Sequence, residues 1–223
     1  MVTKPYLGDG SFADYVTVAT GVGLAKLPDE IDFAEGAALG LAATAAIQAL
    51  DATEIQPGHK VLVVGATGGV GNQAVQLAAL KGAHVVATAA TDDERALVTD
   101  LGATAAVDYT GDLTAGVRQA DPDGVDVVLH FAGDPHLALA SVRPGGRLAS
   151  TLIMSPEQLP TDDATVHAIY AHPDADTLER AARHLAGGDT RVHVQQTFTL
   201  EQVPAAFEAF AAGTLGKLVV TIV

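Results

Sequence analysis

The stretch Lys60-Val61-Leu62-Val63-Val64-Gly65-Ala66-Thr67-Gly68-Gly69-Val70-Gly71 decides how this chain is read. Its first half is a short continuous apolar run, the pattern of a strand covered on both faces. Its second half is a glycine cluster, followed by Val70, Ala74, Leu77 and Ala78 at helical spacing and by Gly82 as a stop. That pattern predicts a helix over 69–81. Working outward, 84–88 reads as the next strand. Thr91-Asp92-Asp93-Glu94 then opens a helix with a capping box, in which Thr91 accepts a first-turn amide and Glu94 reaches back. Gly102 closes that helix, and 105–109, 125–132, 146–151 and 165–171 read as further strands. Strands alternating with helices of this length imply right-handed crossovers and an α/β fold with a doubly wound parallel sheet.

Three zones follow from the same reading. Residues 1–31 hold an alternating, strand-like stretch at 12–18. The α/β alternation fills 32–190. A short strand, a helix and a final strand fill 191–223. With 223 residues, 48% hydrophobic and 17% charged, the chain has ample material for one large domain, or one plus a fragment. The net charge of −15 repels phosphate backbones and anionic membranes, which excludes nucleic acid and membrane surfaces as partners. The apolar run 34–50 carries Glu35 and Gln48 and is Ala-rich, so it reads as a buried helix and not a membrane span. The N-terminal residues lack the apolar core of a signal peptide, and there is no cysteine, which removes disulfides and thiolate zinc sites. A cytoplasmic location is the expectation.

The glycine cluster sits where a strand gives way to a helix, and that context carries the functional reading. A tight turn, close approach of the backbone to a pyrophosphate, and close helix–strand packing each demand glycine there. The helix N-terminus adds free amides and a positive dipole end. Other chemistries lack their residues. None of the four tyrosines has Lys four positions on, Gly216-Lys217 is followed by Leu218 and not Ser or Thr, and no His-Glu-x-x-His or Gly-x-Ser-x-Gly occurs. The acid pairs Asp92-Asp93 and Asp162-Asp163 read as solvated or capping groups.

Ala66-Thr67-Gly68-Gly69-Val70-Gly71, with Ala74, Gln76, Leu77, Ala78 and Gly82-Ala83, resembles the zinc-independent quinone oxidoreductase branch of the medium-chain dehydrogenase/reductase family. Gly10 to Val16, Leu27-Pro28, Leu101-Gly102-Ala103, Pro144-Gly145-Gly146-Arg147 and Gly216 to Val220 extend the resemblance over nearly the whole chain. It implies a Rossmann domain at 32–190. It also implies that 1–31 and 191–223 are remnants of a GroES-like catalytic domain, the rest of which would precede Gly10.

The implied activity is hydride transfer from NAD(P)H to a small-molecule electron acceptor, a quinone or an α,β-unsaturated carbonyl. A cofactor-binding module with little catalysis and an enoyl-thioester reductase are the alternatives, and no catalytic residue is singled out. The glycine turn predicts cofactor contacts at Gly68, Gly69 and Val70, with a side chain at Gly69 blocking the pyrophosphate. Phe131 and Ala132 follow a strand at the carboxyl edge of the sheet, and Thr151 ends another there. For Thr44 two readings stand: a buried threonine bonding its own helical turn, or, by resemblance, a neighbour of the nicotinamide carboxamide. The second strand ends Thr88-Ala89-Ala90 without a carboxylate, which leaves room for a 2′-phosphate. Glu94 stands where related NADPH enzymes carry Lys. Thr88, Arg95 and Tyr109 are the expected surroundings of that phosphate, and NADPH is favoured over NADH. No metal is expected. The strand at 165–171, as the last of the sheet, is expected at an edge, and a homodimer is expected through it.

Overall fold

The computed structural model describes residues 10–18, 23–172 and 174–222. Helix α1 (Phe33–Ala52) starts at Asp32, whose carboxylate accepts from the Glu35 amide at 2.7 Å while Glu35 reaches back to the Asp32 amide. The alternation then runs β1 (Lys60–Val64), α2 (Gly69–Leu80), β2 (His84–Thr88), α3 (Asp92–Asp100) and β3 (Ala105–Val107). It continues with α4 (Leu113–Ala120), β4 (Val125–His130), α5 (Pro135–Leu139), β5 (Val142–Ser150) and β6 (Ala164–Ala168). These six strands form one sheet in the order β3-β2-β1-β4-β5-β6, with every neighbouring pair parallel. After α6 (Ala175–Ala186) come β7 (Val194–Thr199), α7 (Val203–Ala211) and β8 (Lys217–Thr221), with β7 and β8 paired parallel in a second, two-stranded sheet.

The two-residue period of a strand sorts the core. Val61 and Val63 of β1 join the cluster under α1, α2, α3 and α6, which includes Leu39, Leu50, Val75, Val98 and Ala181. Leu62 and Val64 point the other way, into the cluster with Leu113, Val117 and Ala138 of α4 and α5. Helices therefore cover both faces, and the doubly wound reading holds. Among the described residues α1 is the one helix long and apolar enough to cross a membrane, but most of it is buried against α2, α6 and the sheet.

The strand at 12–18 is not found. Residues 10–18 lie in no strand, and Phe12, Tyr15 and Val16 are exposed. Alternation marks a surface that could pair, but pairing needs a neighbour, and the described residues offer none. Phe12 instead sets its ring edge-on to Phe207 of α7, centroids 6.1 Å apart. The rest of the N-terminal zone, 1–9 and 19–22, lies outside the described residues. Several strands also end earlier than their apolar runs: β3 stops at Val107, β4 at His130 and β6 at Ala168. The residues after β3 and β4 leave the sheet to wall a cleft.

The small sheet is stitched to the large one. Gly216, just before β8, bridges Gly68 in parallel, and its amide donates to the Thr67 carbonyl at 2.7 Å. Its φ of +87° belongs to the left-handed region, and a Cβ there would lie 2.3 Å from the His193 carbonyl oxygen.

Candidate functional site

β1 leads to β2 on one side while β4 lies on the other, so the segments leaving β1 and β4 diverge. This is the switch point at which open α/β sheets bind ligands. A cleft of about 420 Å³ opens there, walled by the turn at 65–71, Thr88, Tyr109, Phe131 to Asp134 and Thr214.

The turn is built residue by residue. Gly65 has φ +83°, and a Cβ on it would sit 2.8 Å from that of Ala132. A Cβ on Gly71 would sit 2.1 Å from the Gly65 carbonyl oxygen, so Gly71 is the glycine that lets α2 pack on β1. Gly68 differs: its nearest neighbour would be the Gly65 oxygen at 3.5 Å, an ordinary contact, so the fold itself does not require a glycine there. Ala66, at the first position of the glycine motif, is fully buried. The Thr88 hydroxyl accepts from the Gly65 amide at 2.9 Å, and Asn72 donates to the carbonyls of Ala66 and Gly68, each at 3.0 Å. The turn is thus held from the end of β2 and from inside α2.

Helices α1, α3, α4, α5 and α6 each begin with an Asp or Thr side chain accepting a first-turn amide. Helix α2 has Gly68 at that place and no side-chain cap. The amides of Val70 and Gly71, both on the cleft wall, have no acceptor among the described residues, while the Gly69 amide faces the Gly216 carbonyl in the parallel bridge. Open amides, a positive dipole end and a position free of side chain fit a phosphate-bearing dinucleotide.

At the far end of the cleft the Tyr109 hydroxyl donates to Glu94 Oε1 at 3.0 Å, and Glu94 Oε2 accepts from the amides of Ala90 and Thr91. Burial works against the Glu94 charge. The two amides and the tyrosine outweigh it and hold the carboxyl below its ordinary value. Tyr109 is raised in turn, first by that same bond.

Beneath the cleft, fully buried His130 places Nδ1 2.8 Å from Ser150 Oγ, which accepts from the Leu152 amide at 3.0 Å. Burial pushes the His130 pKa down, so the ring is neutral near pH 7 and braces β4 against β5.

Of the residues expected from sequence, Gly68, Gly69, Val70, Thr88, Tyr109, Phe131 and Ala132 share the cleft wall. Thr44, Arg95 and Thr151 do not. Thr44 is fully buried in α1 and donates to the Gly40 carbonyl at 2.8 Å, the bond of a threonine serving its own turn. Thr151 lies just beyond β5, its amide donating to the His130 carbonyl at 3.2 Å. Arg95 lies half-buried on α3, beside the wall. Asp108, lowered first by the Thr110 hydroxyl and amide, is lowered further by the Arg95 charge. Gly69 also has a role the sequence did not disclose: a Cβ there would meet the Lys217 side chain at 2.2 Å. Asn72, Ser150 and Lys217 were missed as well. Asn72 alone carried a signal, a polar residue on the buried side of a helix, four positions after Gly68. Among the described residues no three His, Asp or Glu side chains converge on a metal position.

Comparison with known proteins agrees with this geometry. The family model described as zinc-binding dehydrogenase matches residues 69–172. An NADPH-dependent alkenal/one oxidoreductase of Arabidopsis thaliana chloroplasts is 37% identical over 142 residues, covering 63% of this chain and 36% of that protein. The human quinone oxidoreductase is 26% identical over 233 residues, covering 96% of this chain and 70% of that protein. Among solved structures, an NAD-dependent alcohol dehydrogenase superposes with a TM-score of 0.85 at 28% identity, covering 96% of this chain and 66% of that one. The CurK enoyl reductase superposes with a TM-score of 0.77 at 26% identity, covering 90% of this chain and 65% of that one. The chain spans about a third of the length of the first of these relatives. Sheet order, glycine turn and matched relatives agree: the chain is similar to members of the medium-chain dehydrogenase/reductase family.

Proposed function

We propose that this chain binds NADPH in the cleft and serves hydride transfer to an electron-poor acceptor, a quinone or an α,β-unsaturated carbonyl compound. The observation that carries the reading is the uncapped first turn of α2 at the sheet's switch point, open on a cleft of about 420 Å³. The hydride itself would be supplied by the bound nicotinamide. This chain's residues bind and orient. The amides of Val70 and Gly71 hold the pyrophosphate, Phe131 to Gly133 wall the cleft beyond β4, and His130 with Ser150 stiffens the base of that wall.

The NADPH preference draws on the printed names of relatives such as the alkenal/one oxidoreductase. Arg95 supports it from the helix beside Tyr109, and the Glu94 carboxylate works against it. We therefore assign the 2′-phosphate to Arg95, which can fork onto it. Arg95→Ala is expected to weaken NADPH by about 1.5–3 kcal/mol and to leave NADH nearly unchanged in equilibrium titrations. Zinc independence and a cytoplasmic location belong to the same proposal.

The test is turnover of C4-deuterated NADPH with a small enone and with an enoyl thioester, read as deuterium in the product by mass spectrometry, and with a quinone, read as cofactor oxidation, because deuterium delivered to a quinone ends on an exchangeable hydroxyl. Label in the enone product, or cofactor oxidation by the quinone, is the expected result. Label in the thioester product alone favours the enoyl-reductase reading, for which the likeness to the CurK enoyl reductase is the specific support. Binding with neither label transfer nor cofactor oxidation favours a cofactor-binding module.

A further inference from the structure

We propose that Lys217 is the cationic anchor of the cofactor's pyrophosphate, its ammonium held beside the glycine turn by a contact that only a glycine at position 69 permits. The proposal rests on the dinucleotide reading above and deepens it.

The backbone brings the residue there. Gly216 bridges Gly68 and donates to the Thr67 carbonyl at 2.7 Å, which sets the first residue of β8 against the first turn of α2. The stem then crosses Gly69. A Cβ on Gly69 would lie 2.2 Å from Lys217 Cδ, 3.1 Å from Cγ and 3.4 Å from Cε, and Nζ is one bond further. Gly69 has no left-handed φ to require glycine, so the lysine stem is what excludes a side chain there.

Among the described residues the ammonium has no partner. In a chain of net charge −15, Lys60, Arg143, Arg147, Arg180, Arg183 and Arg191 each face a carboxylate. Lys217 has neither an ion pair nor a side-chain hydrogen bond among the described residues. Burial nonetheless pushes its pKa down, the mark of a charge removed from water without compensation. A second hollow of about 340 Å³, lined by Lys217 with Phe207, Phe210 and Val220, shares Gly68, Gly69 and Thr214 with the cleft wall. Its apolar side weakens screening, so an anion on the open amides of Val70 and Gly71 meets a strong local attraction from the ammonium. An anion so placed satisfies the amides and the lysine together, and the local arrangement overcomes the acidic field of the whole chain.

ADP-ribose separates this proposal from the broader reading, because it carries the pyrophosphate and lacks the nicotinamide. In calorimetric titrations the unaltered chain is expected to bind it. Lys217→Met keeps the stem on Gly69 and removes the charge, and is expected to weaken binding by about tenfold or more at low salt, with a smaller loss at high salt. Lys217→Arg is expected to stay within about threefold of the unaltered chain, since it restores the charge. Thermal unfolding of each variant reports on the fold. Equal affinity of Lys217→Met and the unaltered chain overturns the anchor and leaves the turn as the site. Equal losses in the Met and Arg variants also overturn it, because shape and not charge would then matter. Failure of the unaltered chain to bind ADP-ribose overturns the dinucleotide reading and the anchor with it.

Discussion

Gly68 and Gly71 stand in one turn, and a methyl group on each would meet different surroundings. On Gly71 it would lie 2.1 Å from the Gly65 carbonyl oxygen and within 3 Å of the Ala66 backbone, neither of which can swing away. Gly71→Ala is therefore expected to destabilise the fold by about 1–3 kcal/mol in denaturant titrations, the usual penalty for overpacking. On Gly68 it would make an ordinary contact, so that substitution spares the fold and tests the ligand. Both glycines were legible in sequence because a strand–turn–helix is local. The partner of Gly69 was not: Lys217 arrives from the last strand, and no spacing rule links the two. Thr44 shows the opposite limit. Its sequence allowed two readings, and the geometry supplies the 2.8 Å bond to Gly40 that one of them requires.

Among the elements, α3 shows most plainly how capping chemistry and site chemistry share residues. The capping box at Thr91 and Glu94 was readable from four letters, and both of its bonds form. The sequence did not show that Glu94 also receives the Tyr109 hydroxyl from beyond β3. The sign of the resulting pH dependence is fixed. Glu94 titrates below its ordinary value of 4.5 in the folded chain, so its contribution to stability is present above that value and is lost as pH falls through the lowered one. Glu94→Gln is expected to remove that part of the acid limb of a stability–pH profile and to leave the neutral region flat. An unchanged acid limb would show that the carboxylate is not held as described. The absent strand at 12–18 is the matching lesson: alternation reports a face, and pairing depends on what the rest of the chain places beside it.

Across the whole molecule, the parallel sheet ends at β3 on one side and β6 on the other. The doubly wound architecture was legible because buried parallel strands are apolar on both faces, whereas the stitching of the small sheet onto the glycine turn depends on contacts across the length of the chain. We propose that β6 pairs with its copy in a homodimer. Its outer backbone groups lie on an edge guarded by few charges. Sedimentation over a tenfold range of concentration is expected to show the dimer, and a monomer throughout would contradict that pairing. The central claim is narrower: a dinucleotide lies on the open first turn of α2, against Gly68. Calorimetric titration of NADPH into the unaltered chain and into Gly68→Ala tests it most directly. The account predicts saturable binding that weakens by about 1.4 kcal/mol or more, a factor of ten, in the variant, with no change in unfolding temperature. Equal affinity in both, or no binding by the unaltered chain, would contradict it.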